Sequence, residues 1–199
     1  MDHNIKRVRE CYMKHRITTN ESKKLWEDFQ SGDMYALANL MQCYYSDLVN
    51  WGLRLHNERE FVKDCIQDMF EKLWMMRKTI NSVENVRPYL MTILKTSILR
   101  ELTNKHVTHQ SDLNEEYTFS VEFASDLRLI DEENEVFVIR KLEMVLNHLS
   151  SRQKELIYLK FYQNLSFEEI GEIMNLSRQS VYNLHQKSLY NLRKHYDIT

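Results

Sequence analysis

Residues that interrupt helices are scarce in this chain. It has one proline and three glycines among 199 residues, so little prevents long helices from forming. Its three cysteines, Cys11, Cys43 and Cys65, show no metal or redox spacing and indicate reduced thiols. The sequence does not begin with a charged segment followed by an apolar one, the pattern of a signal peptide. No apolar run approaches the roughly 20 residues that are needed to span a bilayer. These absences predict an all-α, cytoplasmic protein.

The residue patterns that enzymes use are also missing. The scattered glycines form no phosphate-binding loop, and no cysteine and histidine stand in a catalytic arrangement. His106 and His109 lie close together, but the sequence around them is polar and supplies no further metal ligands. We therefore expect no catalytic site, no metal, no cofactor and no small-molecule substrate.

Charge is distributed unevenly along the chain, although the formal net charge is only −2. The segment from His109 to Glu135 contains nine acidic residues and one basic residue, so it carries −8 and the remainder carries +6. Basic ends around an acidic middle suit a nucleic-acid partner. The acidic composition predicts a flexible linker between two small helical domains.

The last fifty residues carry three helix-start signals. Ser150 with Gln153 and Ser166 with Glu169 are capping-box pairs, and Ser177 precedes a third helix. The short turn before Ser177 predicts a helix-turn-helix, and Gly171 predicts close approach of a partner helix. An alternative is an ordinary three-helix bundle with a solvated face. In the helix-turn-helix, the polar residues expected to contact base edges and phosphates are Arg178, Gln179, Ser180, Tyr182, Asn183, Gln186 and Lys187.

Four further helices are predicted before the acidic segment. Apolar periodicity and start signals place them over Ser22 to Gly32, from Asp33 through Leu55, over Glu60 to Arg77, and from Pro88 to Asn104. A polar loop from Lys78 to Asn85 precedes the fourth of these helices. The core-facing residues predicted on the third helix are Phe61, Cys65, Met69, Leu73 and Met76.

The third of these helices combines acidic and aromatic residues. Asp64, Gln67, Asp68 and Glu71 recur at helical spacing and share one face, and Phe70 and Trp74 flank that face. Aromatic side chains beside a charged stripe often anchor a protein contact. This pattern predicts a docking surface for a basic partner. The alternative is a solvated helix face beside two core aromatics.

Two segments resemble one protein family. The segment from Asp64 to Trp74 resembles the Asp-x-x-Gln-acid-x-Phe-x-x-x-Trp signature in the second conserved domain of bacterial extracytoplasmic-function sigma factors. Residues Leu149 to Lys194 resemble the fourth conserved domain of that group. The resemblance implies that Asp64, Gln67, Asp68, Phe70, Glu71 and Trp74 bind core RNA polymerase at its beta-prime clamp helices. It also implies contact with the beta flap, and reading of the upstream, minus-thirty-five promoter element by the C-terminal helix.

The same resemblance implies a second DNA surface, at the downstream, minus-ten element. In the family, the loop before the fourth helix captures a base flipped from the opened strand. Tyr89, Leu90 and Ile93 match the family pattern, but Leu94 and Thr103 depart from it, as do Thr96 and Arg100. These departures imply weaker minus-ten recognition and an additional DNA-bound recruiting partner. The implied downstream contacts are Arg77, Lys78, Asn81, Ser82, Asn85, Lys95, Thr96 and Arg100.

The resulting hypothesis is a promoter-specificity subunit. It has a basic arm (1–20), a polymerase-binding and promoter-opening domain (21–106), an acidic linker (107–134) and a promoter-reading domain (135–199). The family also implies an anti-sigma protein as a regulatory partner. The alternative function is a helix-turn-helix regulator that acts without binding core polymerase.

Overall fold

The computed structural model describes residues 17–106, 117–120 and 141–196. All regular secondary structure in these residues is helical, which confirms the all-α prediction. Most of the basic arm, most of the acidic linker, Cys11, His109 and residues 135–140 of the C-terminal domain lie outside the described residues.

The first two helices begin and end at the polar residues and the glycine that the sequence supplies. Helix α1 spans Thr19–Ser31 and begins at a capping box between Thr18 and Glu21, three residues before the predicted start. Gly32 ends it in the left-handed region at φ 104°. Asp33 then caps α2, Met34–Leu55, by accepting a hydrogen bond from the Tyr35 amide at 2.8 Å.

The next two helices complete the N-terminal domain. Helix α3 spans Arg59–Met76 and α4 spans Val86–His106, so both helices begin and end within two residues of their predicted bounds. Helix α2 packs against α1, α3 and α4. The prediction that Met76 faces the core is wrong, because its side chain is 56% exposed at the last residue of α3.

The C-terminal domain contains the predicted helix-turn-helix. A helical segment over 141–147 precedes α5, Ser151–Ile157, which continues into one π-helical turn, Tyr158–Tyr162. Helix α6 spans Phe167–Met174 and α7 spans Arg178–Tyr196. Both capping boxes predicted from Ser150 and Ser166 are present, and the Ser177 hydroxyl accepts from the Ser180 amide at 3.1 Å.

Gly171 allows the turn between α6 and α7 to fold back onto α6. A Cβ added at Gly171 would lie 2.7 Å from the Leu176 carbonyl oxygen, and the Leu176 amide donates to the Gly171 carbonyl at 2.9 Å. The sequence had suggested close approach of a partner helix at Gly171. The nearest neighbour is instead the backbone of the turn. Asn175, at φ 52°, provides the left-handed residue that the turn needs.

We expect Gly171→Ala to lower the free energy of unfolding by about 1–2 kcal/mol. Alanine gains up to about 1 kcal/mol of helix propensity over glycine, but a contact this short with backbone costs about 1–3 kcal/mol through displacement of the turn. Urea denaturation followed by circular dichroism measures the difference. Asn175→Gly is the control, because glycine accepts φ 52° freely, and it should change stability by less than about 0.5 kcal/mol. A stabilising Gly171→Ala substitution would contradict the close contact.

The two domains share a continuous apolar core. The Trp51 ring on α2 stacks on Tyr158 of the π-helical turn, with centroids 5.8 Å apart. Phe119 lies against both rings, at 5.6 and 5.7 Å, and the Ser120 amide donates to the Arg54 carbonyl at 2.9 Å. Residues 117–120 belong to the predicted linker, so this part of the linker is packed between the domains. Helix α4 also packs directly against α6.

Candidate polymerase and nucleic-acid interfaces

The acidic stripe lies on the outer face of α3. Asp64, Gln67, Asp68 and Glu71 are all exposed, as their spacing predicts. The Gln67 side-chain amide donates to the Glu71 carboxylate at 3.1 Å, which holds two members of the stripe together. The stripe therefore presents three carboxylates and one amide on one exposed helix face, which is chemistry suited to cationic side chains of a partner.

The aromatic border of the stripe differs from the prediction. Phe70 is only 4% exposed and belongs to the core. The prediction that Phe70 is an exposed aromatic side chain at the border of the stripe is therefore wrong, and its part in polymerase binding stays a prediction. Trp74 is half-buried near Phe29, with ring centroids 6.5 Å apart. The Arg77 guanidinium lies over the Trp74 ring, 4.1 Å from its centroid. Trp74 therefore borders the stripe with one face of its ring covered by Arg77.

The loop between α3 and α4 forms one wall of a pocket of about 500 Å³. Asn81 and Ser82 are exposed at its edge, and Asn85 is half-buried. The loop is fixed by the Gln30 side-chain amide, which donates to the Ile80 carbonyl at 2.6 Å. A pocket with amide, hydroxyl and aromatic groups has the chemistry to hold an unstacked base. The lining residues are Met76, Thr79, Ile80, Asn81, Ser82, Val83, Glu84, Asn85, Tyr89 and Glu172.

The residues of α4 and those just after α3 that are predicted to contact the downstream element lie in different environments. Lys78 and Arg100 are exposed, and Arg77 donates to the Trp74 carbonyl at 2.7 Å. Thr96 is exposed, but its hydroxyl donates to the Thr92 carbonyl one turn earlier. Lys95 is only 9% exposed and forms an ion pair with Glu155 at 2.6 Å. A DNA contact by Lys95 therefore requires this ion pair to separate.

The polar residues of α7 form an open surface at the start of the predicted recognition helix. The Gln179 side-chain amide donates to the Asn183 side-chain oxygen at 3.0 Å. Arg178 pairs with Glu168 of α6 at 2.9 Å, between two exposed side chains. Such exposed pairs contribute little to stability and exchange readily for phosphate or base contacts. The residues of this surface, all exposed, are Arg178, Gln179, Ser180, Tyr182, Asn183, Gln186 and Lys187.

An aromatic cluster packs against the predicted recognition helix. The Phe167 ring centroid lies 6.2 Å from that of Tyr182 and 5.2 Å from that of His185, and the Phe161 ring stacks on His185 at 5.9 Å. Burial, with the charge of Lys160, lowers the pKa of His185. The lowered pKa disfavours the charged form of His185, and its contacts with the Phe161 and Phe167 rings make it part of the packing of this cluster.

Two regions of the sequence match families of known proteins. Residues 40–107 match the family described as Sigma-70 region 2, and residues 145–194 match Sigma-70, region 4. Together the two matches cover more than half of the chain, in the order that the motifs predict. The chain belongs to the sigma-70 family. Regions 2 and 4 correspond to the two domains that resemble the extracytoplasmic-function group, so that assignment is confirmed.

Individual relatives agree with this assignment. The sigma factor is 22% identical over 165 residues to the RNA polymerase sigma factor YlaC of Bacillus subtilis (strain 168), covering 80% of this chain and 91% of YlaC. Its fold is similar to CnrH, solved with the cytosolic domain of CnrY, at 17% identity and a TM-score of 0.59, covering 89% of this chain and 97% of CnrH. It is also similar to RpoE, solved with the anti-sigma factor NepR from Bartonella quintana, at 17% identity and a TM-score of 0.56. The match covers 81% of this chain and 96% of RpoE.

The sigma factor therefore directs transcription initiation at a specific set of promoters, with core RNA polymerase and promoter DNA as its partners. Within residues 17–106, 117–120 and 141–196, no helix has the length and apolar character needed to cross a membrane.

Sequence reasoning missed the polar contacts between the two domains. The Arg87 guanidinium contacts Asp47 at 3.0 Å and donates to both the backbone carbonyl and the side-chain oxygen of Gln163. The Gln163 side-chain amide in turn donates to the Tyr158 hydroxyl at 2.7 Å, and burial raises the pKa of Tyr158 to about 12. No local pattern marks these residues, because their partners lie up to 76 positions away.

Proposed function

We propose that the acidic stripe of α3 is the surface through which this sigma factor binds the beta-prime clamp helices of core polymerase. The observation that carries the proposal is the joint exposure of Asp64, Gln67, Asp68 and Glu71 on one helix face. Burial of the remaining apolar face of α3 makes the stripe rigid, so little side-chain and backbone entropy is lost on binding. Trp74 at the border of the stripe supplies apolar contact area beside the carboxylates.

We further propose that the two DNA surfaces read two promoter elements. The exposed side chains of α7 suit the major groove of the upstream element, where amide and guanidinium groups recognise base edges. The pocket beside Asn81, Ser82 and Asn85 suits a base from the opened strand of the downstream element. Unstacking costs a few kcal/mol per step, and contacts in the pocket offset part of this cost.

The sigma factor has no catalytic role in this proposal, because polymerase carries out the chemistry. It acts in the cytoplasm, where polymerase and the chromosome are located. An anti-sigma protein is a further proposed partner, supported by the two solved relatives, one in complex with the cytosolic domain of CnrY and one with the anti-sigma factor NepR.

Run-off transcription tests the proposal. The purified chain is added to bacterial core polymerase on a library of random promoter fragments, and the transcripts are sequenced. We expect transcripts from fragments that share an upstream and a downstream element. Core polymerase alone is the control. If no fragment of the library gives a transcript, and the chain and core enzyme elute separately in size-exclusion chromatography, the result would favour a regulator that acts without polymerase.

A further inference from the structure

Helix α1 contacts the pocket between α3 and α4 through two side chains. The Gln30 side-chain amide donates to the Ile80 carbonyl of the pocket loop at 2.6 Å, across 50 positions of sequence. The Trp26 ring lies edge-on to Tyr89, which lines the pocket from α4, with ring centroids 5.3 Å apart. Helix α1 precedes residue 40, where the match to Sigma-70 region 2 begins. Neither family match therefore covers these two side chains.

The Gln30 hydrogen bond holds the pocket loop at the point where the hydrogen bonds of the loop end. The amides of Thr79 and Ile80 both donate to the Met76 carbonyl, at 2.8 and 3.2 Å, and so continue the last turn of α3. Within the described part of the chain, residues 81–84 form no hydrogen bond. The Ile80 carbonyl is thus the last group that a hydrogen bond fixes before Asn81, which lines the pocket.

The helix that supplies this hydrogen bond is itself firmly held. Trp26 and Phe29 of α1 are 1% and 0% exposed, so the backbone beside Gln30 is anchored in the core. A loop that becomes ordered only when its ligand binds loses affinity, because its backbone entropy is lost at that moment. A donor on a fixed helix restricts the loop before a base arrives.

We propose that Gln30 is a positioning residue for base capture at the downstream promoter element. It acts through the Ile80 carbonyl and does not line the pocket itself. Because a carbonyl oxygen only accepts hydrogen bonds, the side chain at position 30 must be a donor. This inference rests on the proposed function, since it assigns the pocket to a base from the opened strand.

Three substitutions separate the donor from the shape of the side chain. Gln30→Glu keeps nearly the same shape, but its carboxylate accepts hydrogen bonds and repels the Ile80 carbonyl oxygen. Gln30→Lys supplies a donor on a side chain of sufficient length. Gln42→Glu is the matched control, because Gln42 is exposed on α2 and does not line the pocket.

The assay measures how tightly core polymerase carrying each full-length variant binds a promoter fragment recovered by run-off transcription. The downstream element of the fragment is single-stranded, so duplex opening does not contribute to the affinity. An abasic site replaces each nucleotide of that element in turn. With the wild-type sigma factor, the affinity should fall about tenfold at the position whose base enters the pocket.

The loss caused by Gln30→Glu should depend on the presence of that base. On the intact fragment, Gln30→Glu should lower the affinity about three- to tenfold, whereas Gln30→Lys and Gln42→Glu should stay within about twofold of wild type. On the fragment that lacks the captured base, Gln30→Glu and wild type should bind equally. A general structural defect would instead lower the affinity for both fragments by the same factor.

The outcomes distinguish this inference from the proposed function. Equal losses on both fragments, no loss on the intact one, or a loss in Gln30→Lys as large as in Gln30→Glu would overturn the positioning role alone. A wild-type scan in which no position responds to loss of its base would reject base capture, and the role of Gln30 with it. If circular dichroism shows that Gln30→Glu loses helical content, Gln30→Ala takes its place in the comparison.

Discussion

Charge reversal of the acidic stripe, Asp64→Lys with Asp68→Lys, should weaken binding to core polymerase roughly 100-fold or more. Close charge pairs at protein interfaces have coupling energies of about 1.5–7 kcal/mol, and reversal replaces attraction with repulsion at two positions. Both side chains are exposed, so the free energy of unfolding should hardly change. The variant should fold normally, lose co-elution with core enzyme and give no specific run-off transcripts.

The control for this prediction is a charge reversal elsewhere on the N-terminal domain. Glu27 is exposed on α1, and Glu27→Lys changes the net charge by the same amount as Asp68→Lys alone. It should leave polymerase affinity within about twofold, whereas Asp68→Lys should lower it roughly tenfold or more. Equal effects of the two substitutions would show that only net charge matters and that α3 is not the binding surface.

Trp51→Ala should lower the free energy of unfolding by about 3–5 kcal/mol, the range measured for removal of large buried aromatic side chains. Trp51 has no exposed area, its indole N–H donates to the Met91 carbonyl at 3.2 Å, and its ring contacts Phe119 and Tyr158. Removing it leaves a cavity where α2, the linker residues and the π-helical turn meet. Urea denaturation followed by circular dichroism measures the loss.

Two further substitutions serve as comparisons for the Trp51→Ala result. Trp51→Phe keeps an apolar ring but loses the indole hydrogen bond, and should cost about 1–2 kcal/mol. Tyr35→Ala removes an aromatic side chain from the same helix at a position that is 83% exposed, and should stay within about 0.5 kcal/mol of wild type. A Trp51→Ala cost below 1 kcal/mol would mean that the shared core is not closed in solution.

The helix boundaries and the exposed surfaces followed from local sequence. Ser150, Ser166 and Asp33 begin helices because their side chains satisfy amides that the helix itself leaves free. The exposure of the α3 stripe follows from a repeat of three and four residues, which places these side chains on one face. These features depend on interactions within a few residues, so one sequence is enough to predict them.

The misplaced residues were those whose environment depends on a distant partner. Phe70 was expected at the border of the stripe, but α3 is covered on more than one side and Phe70 points inward. Met76 was expected inside, but it is the last residue of α3 and its side chain is 56% exposed. Periodicity gives the angle of a side chain around a helix, and tertiary packing decides how wide the buried face is.

The sequence by itself determined an all-helical chain with two sigma-70 regions, because capping, periodicity and motif spacing are local properties. Only the tertiary structure decided that Lys95 meets Glu155, that Glu172 lines the loop pocket and that Phe119 fills the gap between Trp51 and Tyr158. Lys95 and Glu155 are 60 positions apart in the sequence, and Phe119 lies 68 positions from Trp51 and 39 from Tyr158. The formation of these contacts depends on how two independently patterned domains meet, and no local pattern encodes that.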